Sequence, residues 1–110
     1  MTVSHLTTHI LDTTLGLPAE GVHVQLFAGD GRLIAEATTD ADGRATQLGP
    51  EQLAPGTYRL RFDTGAYFES RGVTAFFPEA ALTFVIDDVD RHCHVPLLLS
   101  PFAYSTYRGS

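Results

Sequence analysis

The spacing of its chain-breaking residues constrains this sequence most. Gly and Pro recur at Gly16–Pro18, Gly29–Gly31, Asp42-Gly43, Gly49–Pro50, Pro55-Gly56, Pro78 and Pro101. Each interval holds one short strand and its turn. Between the marks, residues alternate. Val22, Val24 and Leu26 share one strand face, and His23, Gln25 and Phe27 the other. Tyr58, Leu60 and Phe62 oppose Arg59, Arg61 and Asp63, and Leu82, Phe84 and Ile86 oppose Thr83, Val85 and Asp87. Period-two alternation marks strands with one face on a core. Further strands are expected near residues 5–12, 32–39, 44–47, 91–99 and 103–107. Asp63-Thr64 predicts the cap of a short helix running through Phe68 and Arg71 and ended by Gly72. The pattern therefore predicts an antiparallel β-sandwich or barrel, read as eight strands in two sheets with one short helix.

Composition narrows the function classes. The chain has 110 residues, the size of one domain spanning residues 1–110, and is 44% hydrophobic and 18% charged, too apolar for disorder. No apolar run approaches bilayer-spanning length, so no membrane partner is expected. Thirteen acidic residues face seven basic ones, all Arg, for a net charge of −6. That balance argues against a nucleic-acid partner. A single cysteine, Cys93, excludes an internal disulfide framework and a Cys-based zinc finger. The start lacks the basic and apolar regions of a signal peptide, and the end is no peroxisomal address, so a cytoplasmic, reducing setting is expected.

Two strands use their second face unusually. On residues 5–12, His5, Thr7, His9 and Leu11 share a face; on 91–99, His92, His94, Pro96 and Leu98 do. Solvent faces favour Lys, Glu or Thr, and core faces avoid His. A half-apolar, His-bearing face suits a subunit interface or a ligand cleft. Histidine, with an unperturbed pKa of about 6.5, can accept and donate protons near neutrality. Any one of them alone is more often an ordinary surface or half-buried residue. His92-x-His94 with His9 could in principle hold zinc, but the pair lacks an accompanying Cys pair or HExxH, so a metal-free site ranks first.

Arg44 follows the Asp42-Gly43 turn where a strand begins. Read alone, the turn is a hairpin; read functionally, the planar Arg44 fork could clamp a carboxylate, urate-like oxygens or an enolate. Cys93 has the core-side parity of a small buried residue. Ser100, Ser105 and Ser110 lack a nucleophile-elbow context. The tail Tyr104-Ser-Thr-Tyr-Arg-Gly-Ser110 offers a phenol, a guanidinium, a glycine and a terminal carboxylate together.

Three segments carry a family resemblance. They are Leu6-Thr-Thr-His9-Ile-Leu-Asp-Thr-Thr-Leu-Gly16-Leu-Pro18-Ala19, Thr39-Asp-Ala-Asp-Gly43-Arg44, and His92-Cys-His94-Val-Pro-Leu-Leu-Leu-Ser-Pro101 running into Tyr104-Ser-Thr-Tyr-Arg-Gly-Ser110. Phe76-Phe77-Pro78-Glu79 adds to them. With these, the whole chain resembles the 5-hydroxyisourate hydrolases, transthyretin-related enzymes of urate degradation. Cys93 departs from the aromatic residue common at that position, a packing change by its parity.

The resemblance implies a transthyretin-like (prealbumin-like) all-β sandwich of two antiparallel four-stranded sheets with one short helix. It implies a homotetramer, a dimer of dimers with sites in a channel between dimers. It also implies hydrolysis of a ring C–N amide bond of 5-hydroxyisourate to 2-oxo-4-hydroxy-4-carboxy-5-ureidoimidazoline, without metal or organic cofactor. The catalytic residues it carries over are His9, Arg44, His94 and Ser110. Substrate contacts fall to His9, Arg44, Tyr107, Arg108 and Gly109. His9 and His94 jointly activate water, with no choice made between them, and no role is assigned to His92. The alternative is a transthyretin-like carrier that binds small molecules in the same channel.

Overall fold

The computed structural model describes residues 4–109. Its strands are β1 (Leu6–Asp12), β2 (Leu17–Pro18), β3 (His23–Ala28), β4 (Leu33–Thr38), β5 (Arg44–Ala45), β6 (Gly56–Phe62), β7 (Ala80–Ile86), β8 (Cys93–Leu99) and β9 (Tyr104–Thr106), with helix α1 (Thr64–Glu69) between β6 and β7. One sheet runs β4-β3-β6-β7, every pair antiparallel. The other runs β2-β1-β8-β9, with β5 also paired to β1.

The two-sheet, strand-rich reading holds, with two differences of detail. The second sheet has five strands, because Leu17–Pro18 folds back on Leu11 and Asp12 as a short antiparallel strand. Gly16, at φ 70°, makes that tight return. And β1 runs parallel to β8, Leu6 to Asp12 matching Cys93 to Leu99. No hairpin joins these strands, so turn chemistry does not dictate their direction; the whole first sheet and α1 form the crossover between them.

The alternation does its expected work. Val24 and Leu26 of β3, Leu60 and Phe62 of β6, Leu6 and Ile10 of β1 and Leu97 of β8 are fully buried, and interdigitate between the sheets. Hydroxyls in this layer are bonded. Thr8 Oγ1 donates to the Val95 carbonyl, and Thr39 Oγ1 accepts from Val22 N–H and donates to the Ala19 carbonyl. The buried Asp12 carboxylate accepts from the Tyr67 hydroxyl at 2.8 Å and from the Thr14 and Leu15 amides at 3.0 and 3.2 Å. Burial, then the hydrogen bond to Asp12, pushes the Tyr67 phenol up to about 12.

Helix α1 is capped as the sequence predicts: Asp63 accepts from Ala66 N–H at 3.3 Å. Gly72, at φ 69°, turns the chain away, and Val73 N–H returns to the Phe68 carbonyl. Tyr67 and Phe68 pin the helix to the core.

The outer faces of the two sheets differ in kind. On the first, Arg61 bonds Glu79 and Gln25, His23 pairs with Glu36, and Arg59 lies over the Phe27 ring, as on an ordinary solvated sheet. On the second, Thr7, His9 and Leu11 of β1 lie beside His94, Pro96 and Leu98 of β8. Among the described residues no helix is long and apolar enough to cross a membrane.

Candidate active site

Register builds the site. His9 of β1 is matched on one side by Pro96 of β8 and on the other by Arg44 of β5. Directly matched residues on neighbouring strands put their side chains on the same face. On β8's far side, β9 matches Leu97 with Thr106 and Leu98 with Ser105, and the same register reappears at the His94–Gly109 bridge. Tyr107 therefore falls opposite Pro96. One row across the outer face reads Tyr107, Pro96, His9, Arg44. The adjoining row reads Gly109, His94, Thr7.

Each position has a local cause. Asp40 closes the turn before β5, its carboxylate accepting from the Asp42 and Arg44 amides at 2.9 and 3.0 Å. Gly43 takes φ 73° there, and its carbonyl accepts from Ile10 N–H at 2.8 Å. A side chain at 43 would stand 2.5 Å from the Ile10 carbonyl oxygen, so glycine is what lets Arg44 reach β1. Gly109 serves similarly in the tail. Its N–H donates to the His94 carbonyl at 2.9 Å, and a Cβ on it would meet the His94 ring at 2.6 Å from Cδ2.

The hydroxyl of Thr7, a buried residue, lies 2.8 Å from His94 Nδ1 and 2.8 Å from His92 Nε2. Burial holds the His94 imidazole below the ordinary histidine value, and the charges of Arg44, His92 and His9 lower it further, against a hydrogen bond with the Thr7 main chain. A half-buried imidazole kept neutral beside a fixed guanidinium can take a proton from water and return it.

The fifth histidine, His5, is structural. It is buried, its Nδ1 accepts from Leu53 N–H at 2.8 Å, and its Nε2 therefore donates to the Arg91 carbonyl at 2.8 Å.

The expected site residues divide accordingly. By register His9, Arg44, His94 and Gly109 share the one face. Tyr107 and Arg108 both line, with Cys93, Leu82, Phe84 and Val95, a cavity of about 250 Å³ on the flank between β7 and β8. Burial raises the Cys93 thiol there, with Arg108 and Arg91 opposing. Ser110 lies outside the described residues. No three His, Cys, Asp or Glu side chains converge on a metal-holding arrangement among the described residues. Thr7 escaped the sequence reading as a site residue. Its only signal is its parity with His9, and threonine is an ordinary strand former.

Comparison with known proteins identifies the family. The chain is 47% identical to a 5-hydroxyisourate hydrolase of Caulobacter vibrioides, over 98% of this chain and all of that protein. The structure of Klebsiella pneumoniae 5-hydroxyisourate hydrolase superposes with a TM-score of 0.88 at 44% identity, over 96% of this chain and 98% of that one. Sea bream transthyretin, solved in complex with thyroxine, superposes with a TM-score of 0.85 at 36% identity, over 94% and 93%. A family model described as the HIUase/Transthyretin family matches residues 6–109. The chain belongs to that family.

Proposed function

We propose that this protein hydrolyses 5-hydroxyisourate to 2-oxo-4-hydroxy-4-carboxy-5-ureidoimidazoline. The observation that carries the reading is the juxtaposition of two rows on one face, with Arg44 matched to His9 in one and His94 matched to Thr7 in the next. The reaction adds water across a ring C–N bond. A neutral imidazole, from His9 and His94 acting jointly, takes a proton from water as its oxygen attacks the ring carbonyl. Arg44 stabilises the negative charge that develops on the carbonyl oxygen and on the electron-rich ring. As the C–N bond breaks, the imidazolium gives its proton to the leaving nitrogen, and the carbonyl carbon ends as the product carboxylate. Tyr107, Arg108 and Gly109 contribute substrate contacts, and Ser110 keeps the catalytic role that the family resemblance gives it. General acid–base help of this kind is worth roughly 10²–10⁴-fold. The scheme uses no metal or organic cofactor.

The working form is a homotetramer, a dimer of dimers. Supporting this, among the described residues β7 and β9 end their sheets with unpaired edges, which readily pair with another chain. Leu15 before β2, Leu17 within it, and Phe102 before β9 are all more than half exposed at one end of the same sheet. Such an apolar rim fits burial against a second dimer, which would enclose the His-bearing face as a channel. The carrier reading uses the same channel but leaves the neutral His94 beside Arg44 without a task.

Product analysis tests the proposal. Urate bearing a ¹³C label is oxidised in ¹⁸O-water in the presence of the protein. The expected product is a ring-opened ureido carboxylate carrying ¹⁸O, formed faster than without protein. Unchanged accumulation of the intact ring by a folded oligomer would reject it.

A further inference from the structure

The Thr7 hydroxyl stands 2.8 Å from one ring nitrogen of each of two histidines, Nδ1 of His94 and Nε2 of His92. A hydroxyl carries one proton. It donates to one of these nitrogens and accepts from the other, so a neutral pair must present one N–H and one lone pair to it. Two arrangements are possible, and they give His94 opposite tautomers. In the first, Thr7 donates to His94 Nδ1, and the His94 proton resides on Nε2, where it blocks proton uptake. In the second, His94 Nδ1–H donates to Thr7, Thr7 donates to His92 Nε2, and His94 Nε2 holds the lone pair.

We propose that Thr7 is the positioning residue of the site. Through the chain His94 Nδ1–H to Thr7 to His92 Nε2, it holds His94 in the tautomer whose Nε2 accepts the proton of water. This rests on the hydrolase reading above. The chemistry of the step selects the second arrangement. His94 Nδ1 and His92 Nε2 are both on the Thr7 hydroxyl, so the second arrangement survives the reaction: once Nε2 takes a proton both ring nitrogens are N–H, and Nδ1 still finds its acceptor. A side chain at 109 would meet the ring at Cδ2, so glycine there leaves the His94 ring room to sit on Thr7. His92, exposed at the end of the chain of bonds, receives its first role here: it takes the Thr7 proton and so denies it to His94.

The test has a part independent of turnover. Long-range ¹⁵N–¹H correlation of the imidazoles in the intact protein is expected to show the His94 proton on Nδ1 in the wild type and in Thr7→Ser, and on Nε2 in Thr7→Val. Kinetically, Thr7→Val is expected to lower kcat on the order of 10- to 100-fold with little change in KM, since a misplaced catalytic group costs rate rather than binding. Thr7→Ser should restore most of it. His92→Phe, at an exposed position, removes the acceptor while leaving Thr7 in place; it should move the His94 proton to Nε2 as well, and covers the case in which Thr7→Val fails to fold. A wild-type His94 with its proton on Nε2, or Thr7→Val or His92→Phe with unchanged tautomer and kcat, would overturn the proposal. If the wild type shows the expected tautomer but does not act on 5-hydroxyisourate, the hydrolase reading fails and the assignment of Thr7 as the tautomer-setting group stands.

Discussion

Gly109 lies close against His94: its N–H donates to the His94 carbonyl at 2.9 Å, and a methyl group on it would come within 2.6 Å of Cδ2 of the ring. Gly109 and the His94 imidazole are thus a single packing unit, and the chain cannot lie where it does unless residue 109 lacks a side chain.

Gly109→Ala is therefore expected to displace either the tail or the ring. Misplacement by about 1 Å costs on the order of 10²-fold in rate. Because residue 109 lies outside the strands in an isolated bridge and its φ is unexceptional, the melting temperature should barely move. Steady-state kinetics beside calorimetry check this; a variant with wild-type kcat would remove the tail from the account.

Arg44→Ala should act twice. It loses the charge that meets the developing oxyanion, with an expected fall on the order of 10²–10³-fold in kcat. It also removes a cation that holds the His94 ring below its ordinary value, so that value should rise. The acid limb of kcat/KM, on which activity is lost as His94 becomes protonated, should then move to higher pH. An NMR titration of His94 in both proteins checks the sign; no movement would mean that Arg44 and His94 do not sense each other.

Tyr67→Phe tests the buried Tyr67–Asp12 pair. It strips one of three donors from the Asp12 carboxylate, a loss of about 1–3 kcal/mol. The pair also sets an alkaline limit. Because the folded phenol titrates at about 12, above its unfolded value near 10, its contribution is full below pH 10 and is lost as pH rises toward 12. Denaturant melts at pH 8 and pH 11 should show the wild type losing stability that Tyr67→Phe never had.

Much of this site was legible in the sequence. Alternation alone placed Thr7 and His9 on one face of β1 and His94 and Pro96 on one face of β8. The Asp-Gly turn placed Arg44 at a strand start, and Asp63 and Gly72 bounded α1. What alternation cannot carry is register between strands far apart in the chain. Nothing local says that β1 and β8 run parallel, or that Arg44 stands opposite His9. The Tyr107-Arg108-Gly109 motif reads as one functional unit in sequence, but alternation does not show that Tyr107 and Arg108 also line the cavity beside Cys93. Thr7 was hidden for a different reason: a threonine on a strand needs no explanation until two imidazole nitrogens are found on its hydroxyl.

Activity should survive exhaustive chelation, because proton transfer and charge stabilisation are both supplied by side chains. Assays after prolonged dialysis against a strong chelator check this. Loss of turnover that zinc restores would transfer water activation to a metal.

The most direct measurement follows the near-ultraviolet decay of 5-hydroxyisourate generated in place by urate oxidase. With this protein present, the decay should accelerate far beyond the spontaneous rate. His94→Ala and Arg44→Ala, folded and of wild-type oligomeric state, should return it close to that rate. Decay at the spontaneous rate with the wild-type protein, or undiminished acceleration by both variants, would contradict the account.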